Sequence, residues 1–400
     1  MICILFLAWV EYLFQSISPS LMQAVAVLTV ILLNVSMTPL AFGLRSLFTD
    51  LVVAQEQSRV TAWASYSTSV SNILSLWAGS FDLPQVLGVP SLTQFQALSI
   101  LACLSLAATV SICLCTARER NPNFDATLAE HRRPLGFGSV LRSIRQAYRC
   151  TPTRIKQVFA VQVFSWTAWF PFLFYMTSYV NTRYALSQLQ SFHGWTDVAT
   201  LLKSPATQVG STALLMWTLV SFLSTTVLTR LVRQPCTTTA PTEDIATTDP
   251  ALSSMHTVWI YSHVLFAACM LLTLVVKSWQ GTVVLVSLVG CSWAATQWIP
   301  HAIVGAEISP RRKDYRLYDV DSDSDADADE VDELRKHRGA ILGLHNLAIS
   351  TPQIVAALAS SGIMRIMTDM GSVEPAVWTL RAASVPAMVA ATLAYRLGEF

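Results

Sequence analysis

Charge is scarce in this sequence. Asp, Glu, Lys and Arg together make up only 13% of the 400 residues, about half the share of an ordinary soluble domain. Apolar residues make up 53%, and the mean hydropathy is +0.47. A soluble globular domain is excluded. The formal net charge of +1 says nothing about nucleic acid; no nucleic-acid partner is expected because the positive charge flanks the apolar runs. Cysteine is missing where it would staple an outside surface. Cys3, Cys103, Cys113, Cys115, Cys269 and Cys291 fall in apolar runs, and Cys150 and Cys236 in segments between them. That excludes a disulfide framework. No CxxC spacing for a metal exists, and the one glycosylation sequon, Asn34–Ser36, lies inside an apolar run. No catalytic cluster is visible either, so neither an enzyme nor a cofactor is expected. The first run, Ile2–Phe14, is expected to be an incomplete span rather than a signal peptide. It has no basic lead-in, carries Glu11 and has no small-residue cleavage site before Gln15.

What the chain has is apolar length. Ten runs stand out: Ile2–Phe14, Leu21–Leu44, Val60–Phe81, Phe95–Ala117, Gln157–Val180, Ala206–Thr229, Met255–Val276, Gly281–Ala306, Gly339–Met364 and Pro375–Tyr395. All but the first are long enough to cross a hydrocarbon core of about 30 Å at about 1.5 Å per residue. The predicted fold is therefore all-α, a polytopic membrane bundle. With Arg45–Arg59 set in the cytoplasm, strict alternation puts all 26 Lys and Arg on that side except Arg183, Lys203, Lys277 and Arg365 outside and Arg381 in the last run. This bias predicts cytoplasmic termini.

The segments between runs carry their own signals. Residues 118–156 form a basic cytoplasmic linker between a four-span portion, 1–117, and a six-span portion, 157–400. Within the linker Val140, Leu141, Ile144 and Tyr148 share one helical face, which predicts an amphipathic helix on an anionic leaflet. The acidic stretch 309–338 imitates a calcium loop, but Ala326 stands where the sharp-turn glycine belongs and Asp332 where the final glutamate belongs. A disordered acidic linker is expected there.

Some runs are not uniformly greasy. Leu21–Leu44 holds Asn34, Ser36, Thr38 and Pro39, and delivers Arg45 to a membrane boundary. Polar groups at such depth face a bundle interior or a watery cavity. Val60–Phe81 is dense in hydroxyls, which suit close helix packing, with Asn72 the member placed toward a cavity. Trp166–Tyr175 clusters aromatics around Pro171 in mid-span, where interfacial belts do not need them. His256 and His263 are seven apart on one run and read as packing residues.

The segments Arg45–Asp50, Gln55–Trp63 and Gly79–Leu83 resemble the fourth and fifth spans of sucrose and α-glucoside transporters, the sugar–proton symporters of the major facilitator superfamily. Trp169–Tyr175 is similar to their seventh span, Ala295–Ser309 to the end of their tenth, and Gly339–Ile354 to their eleventh in fungal members. The resemblance implies a major facilitator-like bundle of about ten spans that lacks the first two of twelve, two halves rocking about a midplane site, and a multi-pass protein of the plasma membrane, with the vacuolar membrane the alternative. It implies a small neutral sugar as substrate, protons as a candidate co-substrate and the lipid bilayer as surroundings. Candidate substrate-binding residues are Asn34, Thr38, Arg45, Asn72, Trp169, Gln297, Asn346 and Gln353. Candidate gating or coupling residues are Arg45, Asp50 and Glu307, with Glu307 in the pseudo-equivalent place to Arg45. Asn34 stands where the family keeps an aspartate, and Gln208 where it keeps an arginine. An amide does not titrate, so transport indifferent to a pH gradient is expected. The competing reading is a sugar sensor or an incomplete carrier that does not transport.

Overall fold

A computed structural model describes all residues except 15–17, 54–55, 80, 82, 117–136, 192–204, 232–249, 309–324 and 398–400. Among the described residues the long elements are helices: α1 (Ile2–Phe14), α2 (Pro19–Leu51), α3 (Gln57–Gly79), α4 (Leu83–Val86), α5 (Gln94–Thr116), α6 (Phe137–Cys150), α7 (Thr153–Ser191), α8 (Pro205–Leu231), α9 (Pro250–Leu272), α10 (Trp279–Ile308), α11 (Asp325–Asp369), α12 (Pro375–Ala382) and α13 (Ser384–Leu397). Among the described residues eight spans are long and apolar enough to cross a membrane: α2, α5, α7, α8, α9, α10, the part of α11 from His337, and α12 with α13. The protein is a multi-pass helical membrane bundle. Helix α3 is 23 residues long but does not reach the same hydropathy, because serine and threonine fill it.

Most apolar runs of the sequence lie in helices that outrun them, but α3 ends at Gly79 before Phe81, α9 ends at Leu272 before Val276, and Pro375–Tyr395 is divided between α12 and α13. The largest extension is α11, which begins at Asp325 and not at Gly339. The expectation of a disordered linker is corrected for residues 325–338; the rest of the acidic stretch, 309–324, lies outside the described residues. Alternating alanines favour the helix, and Asp325, Asp327 and Asp329 fall in its opening turns, where carboxylates complement the helix dipole. Proline interrupts neither α2 at Pro39 nor α7 at Pro171, α10 at Pro300 and α11 at Pro352. In each case the carbonyl four residues earlier loses its helical donor.

The chain forms two compact units. The first comprises residues 1–45 and 74–145. In it α5 starts from a capping box. The Thr93 hydroxyl accepts the Gln96 N–H at 3.2 Å and the Gln96 carboxamide oxygen accepts the Thr93 N–H at 3.0 Å. The same Gln96 donates to the Ala8 carbonyl at 3.3 Å, fastening α1 to α5.

The second unit comprises residues 46–73 and 146–400. Its hub is α7, which packs against α8, α10, α11, α12 and α13. Helices α8 and α10 meet closely at Gly290, where a Cβ would lie 2.5 Å from the Trp217 carbonyl oxygen and 2.9 Å from the Ser221 nitrogen. Helix α13 packs on α7 and α9, and its buried residues include Ala387, Ala390, Ala391 and Ala394. The start of α3 joins this unit through Trp298, whose indole N–H donates to the Ser58 carbonyl at 3.0 Å. Tyr66 adds a 2.6 Å hydroxyl contact to Thr229 on α8. Arg183 near the end of α7 and Glu374 just before α12 form an ion pair at 2.9 Å with side chains only 12% and 15% exposed. Arg381 lies 4.5 Å over the Trp378 ring and donates to the Thr273 carbonyl at 3.2 Å. Burial pushes the Glu374 carboxyl above its ordinary range, against the pull of Arg183 and Arg381.

Helix α6 covers the stretch read as an amphipathic helix. Ala147 is buried, whereas Ile144 and Tyr148 are exposed; the side chains of Val140 and Leu141 lie outside the described ones.

Candidate functional site

The polar residues of α2 satisfy themselves locally. Asn34 donates its amide to the Val30 carbonyl at 2.8 Å, and Thr38 donates its hydroxyl to the Asn34 carbonyl at 2.9 Å; both are exposed. Such i−4 bonds are what a helix offers a polar side chain with no cross-helix partner. Arg45 is half-buried near the end of α2. Asp50 belongs to α2, but its side chain lies outside the described ones, as does that of Gln208. Asn72 on α3 and Gln353 on α11 are exposed, and Asn346 on α11 and Glu307 on α10 are half-buried. The residue that packs beside the end of α10 is Gln57. It is fully buried, donates to the Phe48 and Val52 carbonyls at 3.0 and 2.8 Å, and turns its oxygen to Gly305. Sequence reasoning passed over it; its place at the start of α3, where α2 leaves carbonyls without helical donors, was the available signal.

Around α7 the aromatic residues gather into one cluster. Trp169 is buried, and its indole N–H donates to the Thr296 hydroxyl at 3.2 Å. Its ring lies 4.6 Å from Phe266 and 4.9 Å from Trp293. Trp293 is also 5.2 Å from Trp217 and 6.0 Å from Trp166. Trp169 therefore has its polar handle committed to the core, while Trp166 and Trp293 are half-buried. The indole nitrogens of Trp166 and Trp217 and the hydroxyl of Ser292 are buried with no hydrogen-bond partner. The part of this cluster that reaches the surface is the Trp166 and Trp293 rings, and exposed indole faces suit a ligand with apolar faces.

This cluster continues along two facing helices. On α10, Trp293, Gln297 and His301 recur every four residues and all three are half-buried. On α7, Gln162 and Trp166 keep the same spacing. Gln162 and His345 on α11 approach at 3.2 Å between their ε2 nitrogens. His345 stacks on Phe159, with centroids 5.8 Å apart and an interplanar angle of 22°, and meets His301 edge-on at 4.9 Å. The histidines escaped sequence reasoning because they lie on different helices; the four-residue spacing of Trp293, Gln297 and His301 was the visible clue.

No family model matches the chain. It is 26% identical over 435 aligned positions to the general alpha-glucoside permease of Schizosaccharomyces pombe, covering 92% of this chain and 72% of that protein. It is 30% identical over 150 positions to the MFS-type transporter cctQ of Talaromyces islandicus, covering 38% of this chain and 55% of that one. Both likenesses are to proteins named as transporters, one an α-glucoside permease and one of the MFS type, and the long apolar helices agree with a membrane transporter of that kind.

Proposed function

We propose that the chain carries a small neutral sugar of the sucrose or α-glucoside class across a membrane by alternating access. The observation that carries this reading is the aromatic cluster of α7, α8 and α10, with its half-buried Trp166 and Trp293 rings 6.0 Å apart. Sugar rings present C–H faces that stack on indoles and hydroxyls that accept from them. The substrate named for the Schizosaccharomyces pombe permease is of this class. Gln297, between Trp293 and His301 on one face of α10, adds an amide to the same wall. Asn34, Thr38, Arg45, Asn72, Asn346 and Gln353 remain proposed contributors to the pathway, and Arg45, Asp50 and Glu307 to its gating. Proton coupling through α2 has no titrating group at Asn34. The plasma membrane with both termini in the cytoplasm is the proposed setting, since the basic residues segregate to one side. A cysteine introduced as Asp325→Cys should react with an impermeant thiol reagent only after cells are permeabilised.

The test of substrate is radiolabelled maltose and sucrose counterflow in proteoliposomes holding the full chain. Trp166→Ala and Trp293→Ala should each raise the half-saturating sugar concentration by about tenfold at normal abundance. Unchanged saturation curves in both variants would remove the cluster from the substrate path.

A further inference from the structure

We propose that His345, paired with His301 and braced by Gln162, is the proton-binding site that couples transport to a pH gradient. The proposal rests on the transport reading above and replaces the expectation of uptake indifferent to pH. That expectation followed from the lack of an acid in mid-span, and the histidine pair supplies a titrating group without one.

The geometry is specific. Gln162 and His345 are fully and almost fully buried, and the amide nitrogen of Gln162 faces Nε2 of His345 at 3.2 Å. An amide nitrogen only donates. In this arrangement His345 accepts at Nε2 and is neutral, with its proton on Nδ1. The amide oxygen of Gln162 meanwhile is buried with no hydrogen-bond partner, a costly condition for a buried acceptor. Turning the amide through half a revolution brings that oxygen to Nε2. It then accepts the N–H that His345 gains when a proton arrives from the aqueous phase. One side chain thus serves both protonation states without moving the backbone. His301, 4.9 Å away between ring centroids, sets the count. Two imidazolium charges at that separation oppose each other, so the pair holds one proton rather than two.

Among the described residues the charged and titratable groups on the elements around the pair include these. From α7 it is faced by Phe159 and Gln162, neither ionisable. Lys156 lies one turn nearer the start of α7 and donates to the Arg149 carbonyl at 3.3 Å; Arg154 lies just before it. On α11, His337 and Arg338 precede His345 by about two turns. On α10, Glu307 is the sole carboxylate and lies six residues beyond His301. Helix α9, packed on α10, carries His256 and His263, and the latter holds the Trp259 carbonyl at 2.8 Å through Nδ1. Helix α8 carries Arg230 at its last turn, and near the start of α3 Arg59 pairs with Glu56 at 3.6 Å. Arg396 on α13 is exposed.

The pair is also placed to communicate with sugar. Trp293 and His301 are eight residues apart on one face of α10, about 12 Å along the axis, with Gln297 midway. Gln162 is one turn from Trp166 on α7. Pro300 withholds a backbone donor beside His301, which leaves the helix easiest to bend there.

Two measurements test this. The first does not need transport: histidine-labelled full-length protein in nanodiscs is titrated by nitrogen NMR between about pH 5 and 8. A signal absent from His345→Gln should titrate reversibly in that window, and its midpoint should move in Gln162→Leu. A His345 signal that does not titrate overturns the proposal, whatever the protein carries. The second compares gradient-driven maltose accumulation with counterflow in proteoliposomes. An inward gradient of about one pH unit can drive about tenfold accumulation when one proton moves with each sugar. The ratio of accumulation to counterflow should fall to that of ungraded vesicles in His345→Gln, and its pH optimum should shift in Gln162→Leu. Full accumulation in His345→Gln, or wild-type counterflow with no response to the gradient, overturns the coupling role. Absence of all counterflow in the wild type overturns the transport reading instead, and leaves the NMR titration to decide whether the pair binds a proton.

Discussion

Thr38 in α2 and Thr296 in α10 are the same residue in the same kind of helix. Thr38 spends its hydroxyl on its own backbone, at the Asn34 carbonyl 2.9 Å away, and is exposed. Thr296 makes the same sort of bond, to the Ser292 carbonyl at 3.0 Å, but is buried and also accepts the indole N–H of Trp169 from α7 at 3.2 Å. The contrast extends to the helices. Only 6% of the most apolar window of α2 is buried, against 61% of that of α10. A polar residue of a membrane helix can therefore be either self-sufficient or a cross-link, and composition alone does not distinguish the two. The self-sufficient ones are inexpensive to remove. The cross-links hold helices in register.

The largest effect expected from this contrast is at the buried ion pair. Arg183→Ala leaves Glu374 without its partner and should lower stability to unfolding in detergent by about 3 kcal/mol. The double change Arg183→Met with Glu374→Leu should recover most of that, because an apolar pair of similar volume avoids both desolvation costs. Equal loss in the single and double variants would show that the pair is not a cross-link in the sense used here.

Next is Gly290, where α8 and α10 touch through backbone that cannot yield. Gly290→Val should cost about 2 kcal/mol by overpacking, read as an earlier thermal transition.

A smaller effect is the pH dependence of stability. Because the Glu374 carboxyl is raised by burial, the folded state holds its proton to higher pH than the unfolded chain does. The folded state then binds more protons through that interval, so stability falls as pH rises from the ordinary carboxylate range through the raised one. Glu374→Gln should flatten that portion of a melting-temperature profile; an unchanged slope would assign it to other groups.

Smallest of all are Asn34→Ala and Thr38→Val, which should shift stability by no more than about 0.5 kcal/mol. A loss several times larger would mean that these residues have cross-helix partners after all.

The same contrast explains how far the sequence could be read. Long apolar runs locate helices because a bilayer demands internal backbone pairing over a fixed length, so Leu21–Leu44 and Gly281–Ala306 lie inside α2 and α10 without exception. Helix ends were less legible. The acidic residues from Asp325 read as a solvated linker, because their local helix-forming pattern of alanine and opening-turn carboxylates was outweighed by their charge. Side-chain assignments were the least legible. Trp166 and Trp169 are three residues apart, and which of them is committed to the core depends on how α7 is rotated against α10. His301 and His345 become neighbours only when α10 and α11 fold back beside each other. Four-residue spacing hints at shared faces, but it does not say which face meets which.

The buried alanines of α13 have a mechanical consequence. A methyl group has no rotamers and raises no ridge, so a helix face of Ala387, Ala390, Ala391 and Ala394 does not interlock with α7 and α9 as larger side chains would. The joint between α8 and α10 is keyed by backbone contact at Gly290, whereas α13 rests on a plain bearing. Small shear displacements of packed helices are one way such bundles change state. Along this alanine face α13 is expected to shear against its neighbours at lower cost than α8 against α10, so strain generated elsewhere in the unit would be relieved first at this joint.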